Sequence, residues 1–242
     1  MRLTVLADAA SVAEAAALHI AARLRAEPAL VLGLATGRTM ERVHAGLARL
    51  HRDAGLSFAR CRSFNLDEYA GLPPDDANAY RRTMNAGLFD LVDIALPDTH
   101  VPDGMAPDLD AEGRRYEALI AASGGIGLQV LGLGENGHIG FNEPGSAHDS
   151  RTRAVTLTPA TRRQNQALFG GALDRVPRRA ITMGIGTILE ARGILLVATG
   201  AAKAAALARA IAGPLDRQVP ASALQRHPDS IVIADAEAAA RL

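Results

Sequence analysis

Apolar residues follow two patterns that alternate along the chain. Short apolar runs are typical of buried strands, whereas longer stretches with apolar residues every three or four positions are typical of helices. The short runs predict strands over residues 2–6, 29–34, 62–66, 126–133, 193–199 and 230–234. The longer stretches predict helices over residues 9–25, with Ser11 as the cap, from about 40 to 51, and over 78–89, 109–122 and 201–211.

The order of these elements predicts the fold class. Strands that alternate with helices form a parallel sheet, and right-handed crossovers place the helices on both of its faces. We therefore expect an α/β fold, a three-layer sandwich with a mostly parallel, Rossmann-like sheet. No internal repeat, low-complexity tract or linker interrupts the pattern, so residues 1–242 are predicted to form a single domain.

One loop concentrates residues that can carry chemistry. The fourth predicted strand runs into Gly134-Glu-Asn-Gly-His-Ile-Gly-Phe-Asn-Glu-Pro144, which holds three glycines, one histidine and two carboxylates. In open α/β sheets ligands bind at the carboxyl ends of the strands, where this loop lies. The loop is therefore a candidate active-site loop. A glycine-rich turn whose histidine only satisfies backbone groups is the alternative.

Two further loops follow predicted strands at the same edge of the sheet. Residues 36–39 (Thr-Gly-Arg-Thr), here called the phosphate cradle, stand at a helix N-terminus, where free N–H groups and the helix dipole bind anions. Asp67 and Glu68 follow the third predicted strand, and Lys203 follows the fifth. Such carboxylates act as general bases or cap turns, and such a lysine binds phosphate or lies at the surface. These alternatives stay open on the residues alone.

Composition limits the classes of partner that the protein can bind and indicates its cellular compartment. The chain has 26 basic and 26 acidic residues and a formal net charge of +0, which argues against nucleic acid or an anionic membrane as a partner. Its single cysteine, Cys61, cannot form an internal disulfide, and the N-terminus lacks the pattern of a signal peptide. No apolar stretch is long enough to span a bilayer. A cytoplasmic protein is expected, and its oligomeric state, including a homo-oligomer, is left open.

The residue types favour proton transfer over metal chemistry. His138 is the histidine that has carboxylates and glycines around it, and no further ligands stand at the spacing of a zinc site. A histidine oriented by a carboxylate, together with a second carboxylate from another loop, supplies an acid and a base. With the phosphate cradle as an anchor, this set suits a phosphorylated sugar, and no metal is indicated.

Several specific motifs are spread, in a fixed order, over nearly the whole chain. They are Leu32-Gly-Leu-Ala-Thr-Gly37, Phe64-Asn-Leu-Asp-Glu-Tyr-Ala-Gly-Leu-Pro73, the loop from Gly134 to Pro144, Ser150-Arg-Thr-Arg153, Thr182-Met-Gly-Ile-Gly-Thr187 and Ser222-Ala-Leu-Gln225. Together they resemble the glucosamine-6-phosphate deaminase family. The resemblance implies an enzyme that converts glucosamine 6-phosphate and water to fructose 6-phosphate and ammonia, without a cofactor.

The resemblance also implies a role for individual residues. Asp67 corresponds to the base that takes the proton from C2 of the open-chain sugar and helps to return it at C1. His138 corresponds to the residue that opens the pyranose ring, Glu143 holds and tunes that histidine, and Asn136 orients it by hydrogen bonding. Residues 157–180, here called the lid segment, correspond to an active-site lid, although their polar part also fits a solvated face. The residues expected to bind substrate are Thr36, Gly37, Arg38, Thr39, Glu68, Gly137 and Lys203.

Related functions stay open beside this one. 6-Phosphogluconolactonases share the Gly-His-Ile core of the loop but usually lack the Phe-Asn-Glu-Pro found at 141–144. A non-catalytic sugar-phosphate sensor is a third interpretation, although no helix-turn-helix precedes the first predicted strand.

Four positions depart from the pattern of the family. Arg38 replaces a glycine of the cradle, Ala167 replaces an arginine expected in the lid segment, and Asn136 replaces an aspartate that some members have. Arg38 is a candidate substitute for the missing arginine, and galactosamine 6-phosphate is an alternative substrate. Val155 occupies a usually basic position, so we expect no activation by N-acetylglucosamine 6-phosphate.

Overall fold

Strands and helices alternate in the computed structural model, which describes residues 1–242. Every predicted strand and helix is present, with its ends moved by a few residues at most. The strands are β1 (Arg2–Leu6), β2 (Val31–Leu34), β3 (Arg62–Asn65), β4 (Asp67–Tyr69), β5 (Thr99–His100), β6 (Leu128–Gly132), β7 (Arg153–Thr156), β8 (Arg179–Thr182), β9 (Ile194–Ala198) and β10 (Ser230–Asp235). The α-helices are α1 (Ala9–Ala26), α2 (Arg38–Ala54), α3 (Tyr80–Gly87), α4 (Leu109–Ala122), α5 (Pro159–Asn165), α6 (Ile185–Leu189) and α7 (Ala204–Ala212). None of them combines the length and the apolar character that crossing a membrane requires.

Seven of the strands form one sheet, in which every neighbouring pair is parallel. Their order is β1-β10-β9-β6-β2-β3-β5, and helices flank the sheet. The central strands β2, β6 and β9 are almost completely buried, which explains why they occur in the sequence as continuous apolar runs. The α/β fold predicted from the sequence is confirmed.

The strand order creates one crevice at the carboxyl edge of the sheet. After β2 the next strand of the sheet, β3, lies on one side, and after β6 the next one, β9, lies on the other side. β2 and β6 are themselves neighbours, with Gly33 opposite Gln129. Ligands of open α/β sheets bind at such a switch point. The loops that carry the phosphate cradle and His138 therefore leave the sheet on the two sides of one crevice.

A second sheet, antiparallel and three-stranded, has no counterpart in the sequence prediction. Its order is β4-β8-β7, with Asp67 opposite Thr182. Its strands are only three or four residues long, and three strands (β5, β6 and β7) and three α-helices (α3, α4 and α5) lie between β4 and β8 in the chain. Local periodicity therefore carries no signal for the pairing, yet this sheet determines where Asp67 lies.

Small residues let two helices pack closely beside the parallel sheet. α1 lies against α2, and a Cβ placed on Gly46 of α2 would be 2.9 Å from the Cβ of Ala17 in α1. A larger residue would push the helices apart. The N-cap of α1 is Asp8, whose carboxylate accepts a hydrogen bond from the N–H of Ser11 at 2.8 Å. Ser11 lies inside the helix, so its prediction as the cap was wrong.

Candidate active site

The loop after β6 folds around the side chain of His138. The N–H of Gly134 donates to the carbonyl of His138 at 2.9 Å, which closes the loop into a tight turn. The imidazole lies against the α-carbon of Gly134, because a Cβ there would be 2.3 Å from ring atoms. Only glycine leaves room for the ring at this position. Gly137 has a φ of 90°, so the turn itself requires glycine at this predicted substrate-binding residue.

His138, Asn136 and Glu143 form a hydrogen-bonded relay. Nδ2 of Asn136 donates to Oε2 of Glu143 at 3.1 Å, so the amide oxygen of Asn136 faces the histidine. This oxygen lies 2.7 Å from Nδ1 of His138 and accepts a hydrogen bond from it. The neutral imidazole therefore carries its proton on Nδ1 and leaves Nε2 as an acceptor. The structure brings the three predicted catalytic residues of the loop together, with Asn136 between the other two.

The surroundings of His138 suit a group that exchanges protons near neutral pH. Burial lowers the pKa of the imidazole, the charge of Glu143 acts in the opposite direction, and the charge of Lys203 lowers the pKa further. An imidazole that is neutral at neutral pH is available as a base.

Glu143 also joins the loop to the lid segment. Its carboxylate is buried, and Oε1 accepts hydrogen bonds from the hydroxyl groups of Thr161 and, at 3.4 Å, Thr158. Thr158 caps α5 as well, because its hydroxyl oxygen accepts from the N–H of Thr161 at 3.2 Å. The sequence analysis missed both threonines. A polar helix with hydroxyl side chains gives no indication of which hydroxyl faces a buried carboxylate.

The lid segment packs over an apolar cluster beside the relay. Asn165, at the end of α5, donates from Nδ2 to the hydroxyl of Tyr69 at 2.9 Å. Ala167, the position where an arginine was expected, is exposed. The apolar cluster consists of Tyr69, Phe141, Leu157, Phe169, Val176 and Ala180.

Asp67 faces the loop from the antiparallel sheet. A Cβ placed on Gly140 would be 3.2 Å from Oδ2 of Asp67, so the carboxylate lies against the backbone of the loop. Asp67 is only 6% exposed. Burial raises the pKa of its carboxyl group to about 8, and the charge of Glu68 makes a smaller contribution. No hydrogen bond from the protein offsets this burial. A buried carboxylate without donors is a strong base for its type.

Glu68, the neighbour of Asp67, has a different environment. Its Oε1 accepts hydrogen bonds from the N–H groups of Tyr69 at 2.8 Å and Tyr80 at 3.0 Å, and its Oε2 accepts from the N–H of Arg81 at 2.9 Å. Burial raises the pKa of Glu68, and these hydrogen bonds act in the opposite direction. The carboxylate thus caps the N-terminus of α3, which is the structural alternative that the sequence left open.

The phosphate cradle lies at the N-terminus of α2. Gly37 precedes the helix with a φ of 114°, and no side chain caps the first turn. The N–H groups of that turn are therefore available to an anion. Oγ1 of Thr39 lies 3.0 Å from Oγ1 of Thr199, which follows β9, and the hydroxyl of Thr36 contacts that of Tyr80.

Lys203, the only lysine of the chain, approaches the cradle from the turn after β9. Burial lowers the pKa of its amine, Glu135 raises it and Arg38 lowers it, so these charged groups are near neighbours. The turn begins at Gly200, whose N–H donates to both carboxylate oxygens of Asp235 at 3.0 and 2.9 Å. The sequence analysis missed Asp235, although it directly follows a predicted strand and this position was a usable signal.

The remainder of the molecule offers no second site of the same kind. No group of three or more His, Cys, Asp or Glu side chains is arranged to hold a metal ion. A surface cavity of about 570 Å³ on the molecule contains none of the predicted site residues. It is lined by Ala70, Gly71, residues 104–110, Arg178 and Arg179.

Comparison with known proteins identifies the family of the chain. The model of the family described as glucosamine-6-phosphate isomerases/6-phosphogluconolactonase matches residues 6–233. The chain belongs to this family. The family membership that the motifs predicted is therefore confirmed. Both activities in the name of the family act on phosphorylated sugars, as the presence of an anion cradle next to acid–base residues would lead one to expect.

Within this family, several curated deaminases are similar to this chain over nearly its full length. The glucosamine-6-phosphate deaminase of Rhodopirellula baltica is 50% identical over 242 residues, which cover 100% of this chain and 96% of that protein. That of a Geobacillus species is 48% identical over 238 residues, 98% of this chain and 94% of the relative. A solved structure described as a monomeric glucosamine-6-phosphate deaminase has a TM-score of 0.97 at 43% identity, covering 100% of both chains.

The other branch of the family shares the fold at lower similarity. A 6-phosphogluconolactonase from Trypanosoma cruzi has a TM-score of 0.79 at 23% identity, covering 100% of this chain and 96% of the other. This similarity shows the common fold alone.

Proposed function

We propose that the chain is a glucosamine-6-phosphate deaminase, which converts glucosamine 6-phosphate and water to fructose 6-phosphate and ammonia. Its family and its full-length similarity to curated deaminases support this function. The observation that carries the proposal is the meeting of three parts at one crevice. These parts are the relay of His138, Asn136 and Glu143, the donor-free carboxylate of Asp67, and the phosphate cradle with Lys203.

The phosphate cradle anchors the sugar phosphate in this proposal. The N–H groups of the first turn of α2 and the amine of Lys203 bind the phosphate oxygens, and Thr36 and Thr39 offer hydroxyl groups. Arg38 is exposed beside them and supplies a second positive charge. Because the anchor lies next to the loop of His138, the sugar extends from the cradle towards the acid–base residues.

His138 opens the pyranose ring in the first chemical step. Nε2 accepts the proton of the C1 hydroxyl, the bond between C1 and the ring oxygen breaks, and the imidazolium returns a proton to that oxygen. Asn136 keeps the Nδ1 proton in place, so that Nε2 has the free electron pair that this step needs. The charge of Glu143, one residue further along the relay, stabilises the imidazolium.

Asp67 performs the isomerisation. Its carboxylate removes the proton from C2 of the open-chain sugar while a proton passes from the ammonium group to the aldehyde oxygen, which gives an enolamine. The proton held by Asp67 is then returned at C1, which leaves a protonated imine at C2. Water adds to the imine and ammonia leaves. Each step is a proton transfer or a hydration, so the proposed reaction needs no redox cofactor. The positive charge of the amino group favours the ionised form of Asp67 once the sugar is bound.

Glu68 is a positioning residue in this proposal and does not bind the substrate. Both of its carboxylate oxygens accept hydrogen bonds from backbone N–H groups, which fixes β4 relative to α3. Asp67 is thereby held at the loop. This role is proposed in place of the substrate-binding role expected from the sequence.

A single assay tests the proposed function. The protein is incubated separately with glucosamine 6-phosphate, galactosamine 6-phosphate and 6-phosphogluconolactone, and ammonia and acid are measured. We expect ammonia from glucosamine 6-phosphate and no acceleration of lactone hydrolysis. If ammonia is released only from galactosamine 6-phosphate, that sugar is the substrate and not glucosamine 6-phosphate. Absence of ammonia from both amino sugars would contradict the proposal. The cytoplasmic location and the oligomeric state stay predictions, which cell fractionation and sedimentation would test.

A further inference from the structure

One side chain of the lid segment ends on the catalytic relay. Thr161 is 3% exposed, and its hydroxyl donates to Oε1 of Glu143, while Oε2 of the same carboxylate accepts from Asn136. The carboxylate therefore has one oxygen bonded to the lid segment and the other bonded to the relay. The chain of hydrogen bonds runs from Thr161 through Glu143 and Asn136 to Nδ1 of His138.

The direction of the hydrogen bonds in the relay depends on Glu143. Asn136 presents its amide oxygen to His138 only because its Nδ2 is taken up by the carboxylate. If the carboxylate turned away, the amide would lose this constraint, and the imidazole would no longer be held with its proton on Nδ1. A donor on Oε1 fixes the orientation of the carboxylate.

The hydroxyl of Thr161 is not what seats the lid segment. Within the lid segment, the guanidinium of Arg162 ties α5 to the carbonyls of Leu173 at 2.6 Å and Val176 at 3.0 Å. Asn165 joins α5 to the rest of the protein through its hydrogen bond to Tyr69 of β4. The apolar cluster around Tyr69 adds packing. α5 has only seven residues, too few to be stable alone, so these contacts hold it in place. The hydroxyl can therefore be removed without unseating the segment.

We propose that Thr161 is a positioning residue for ring opening. By donating to Glu143 it sets the orientation of the relay, so that His138 works at full rate only while α5 of the lid segment is seated. This inference rests on the proposed function. It assigns to the lid segment a chemical contribution, in addition to covering the site.

The test compares three variants with the wild-type protein. Thr161→Val removes the hydroxyl at nearly constant volume, Thr161→Ser keeps it, and Thr156→Val makes the same change at an exposed residue of β7 whose side chain has no hydrogen bond. We expect kcat for ammonia release to fall about tenfold in Thr161→Val, the loss typical of a hydrogen bond to a charged group. The acid limb of its pH profile for kcat should move to lower pH, because a carboxylate of Glu143 that is no longer held in place raises the pKa of His138 less. Thr161→Ser should recover most of the rate, and Thr156→Val should behave as wild type.

A second measurement separates positioning from loss of structure. The acyclic alcohol 2-amino-2-deoxyglucitol 6-phosphate has no ring to open, so its inhibition constant should be the same in Thr161→Val and wild type. An unchanged kcat and pH profile in folded Thr161→Val would overturn the inference. So would a parallel loss of affinity for the acyclic inhibitor with no shift in pH dependence. If the wild-type protein releases no ammonia, it is the proposed function that fails.

Discussion

The phosphate cradle and the proposed proton-transfer half of the site are built in different ways. The cradle consists largely of backbone at the ends of parallel strands, namely the first turn of α2 and the turn that Asp235 holds at Gly200. The proton-transfer half consists of side chains that meet from the loop, the antiparallel sheet and the lid segment. Backbone N–H groups are fixed by the fold, whereas a relay works only when every member is in place. Substitutions in the two halves should therefore change different kinetic constants.

The largest expected effect is that of Asp67→Asn. The amide keeps the shape of the side chain but cannot accept the proton from C2, so kcat should fall by about 1000-fold, as for loss of a general base. KM should change little, because the cradle is intact. Exchange of the C2 hydrogen in D₂O, followed by NMR, measures the step directly. Asp90→Asn, at an exposed carboxylate without a partner, is the matched control, and retained exchange in Asp67→Asn would show that the base is another residue.

Substitution of Asn136 should have the next largest effect. Asn136→Ala breaks the relay at its centre, and we expect kcat to fall about 100-fold, within the range for impaired acid–base catalysis. Asn136→Asp keeps an acceptor for Nδ1 of His138 but sets a second carboxylate beside Glu143, so it should retain more activity with a displaced pH optimum. Steady-state kinetics from pH 5 to 9 measure both. Equal rates in the two variants would mean that the acceptor has no part in catalysis.

A cradle substitution should raise KM and spare kcat. Lys203→Met removes one charged donor to the phosphate, and KM should rise about 30-fold, the equivalent of a lost charge-assisted hydrogen bond. Asp235→Asn, which weakens the support of the same turn, should raise KM about threefold. Glu237→Gln, at an exposed neighbour of Asp235, is the control. A fall in kcat with constant KM in Lys203→Met would place this lysine in the proton-transfer half.

The smallest expected effect concerns stability. The pKa of Asp67 is raised in the folded chain from 3.8 to about 8, so the folded state binds more protons than the unfolded state between these values, and stability falls as the pH rises through that window. Asn cannot ionise. Asp67→Asn should therefore melt at a Tm close to that of the wild type at pH 4 and at a higher Tm at pH 9, by roughly 5 °C. Thermal unfolding followed by circular dichroism measures this difference in Tm. A difference of the same size at pH 4 and at pH 9 would contradict the raised pKa of Asp67.

The same division explains what the sequence could reveal. The parallel sheet was predictable because β2, β6 and β9 are buried on both faces and stand out as apolar runs. The relay was within reach because Asn136, His138 and Glu143 lie within one loop. Thr161 and the pairing of β4 with β8 were not, because their partners come from distant parts of the chain. For Glu68, the sequence left open whether the carboxylate caps a turn, and the structure shows it at the N-terminus of α3, whereas its expected role at the substrate stays a prediction.

Lys203 gives the protein one further property. Apart from the N-terminus, the chain contains a single primary amine, and it lies beside the cradle in surroundings that lower its pKa. A lower pKa leaves more of the amine uncharged and reactive at a given pH. Amine-directed labels will therefore attach at the phosphate anchor as well as at the N-terminus, and a single isotope-labelled lysine can report on occupancy. By the same reasoning, coupling the protein to a surface through its amines is expected to block the site it is meant to display.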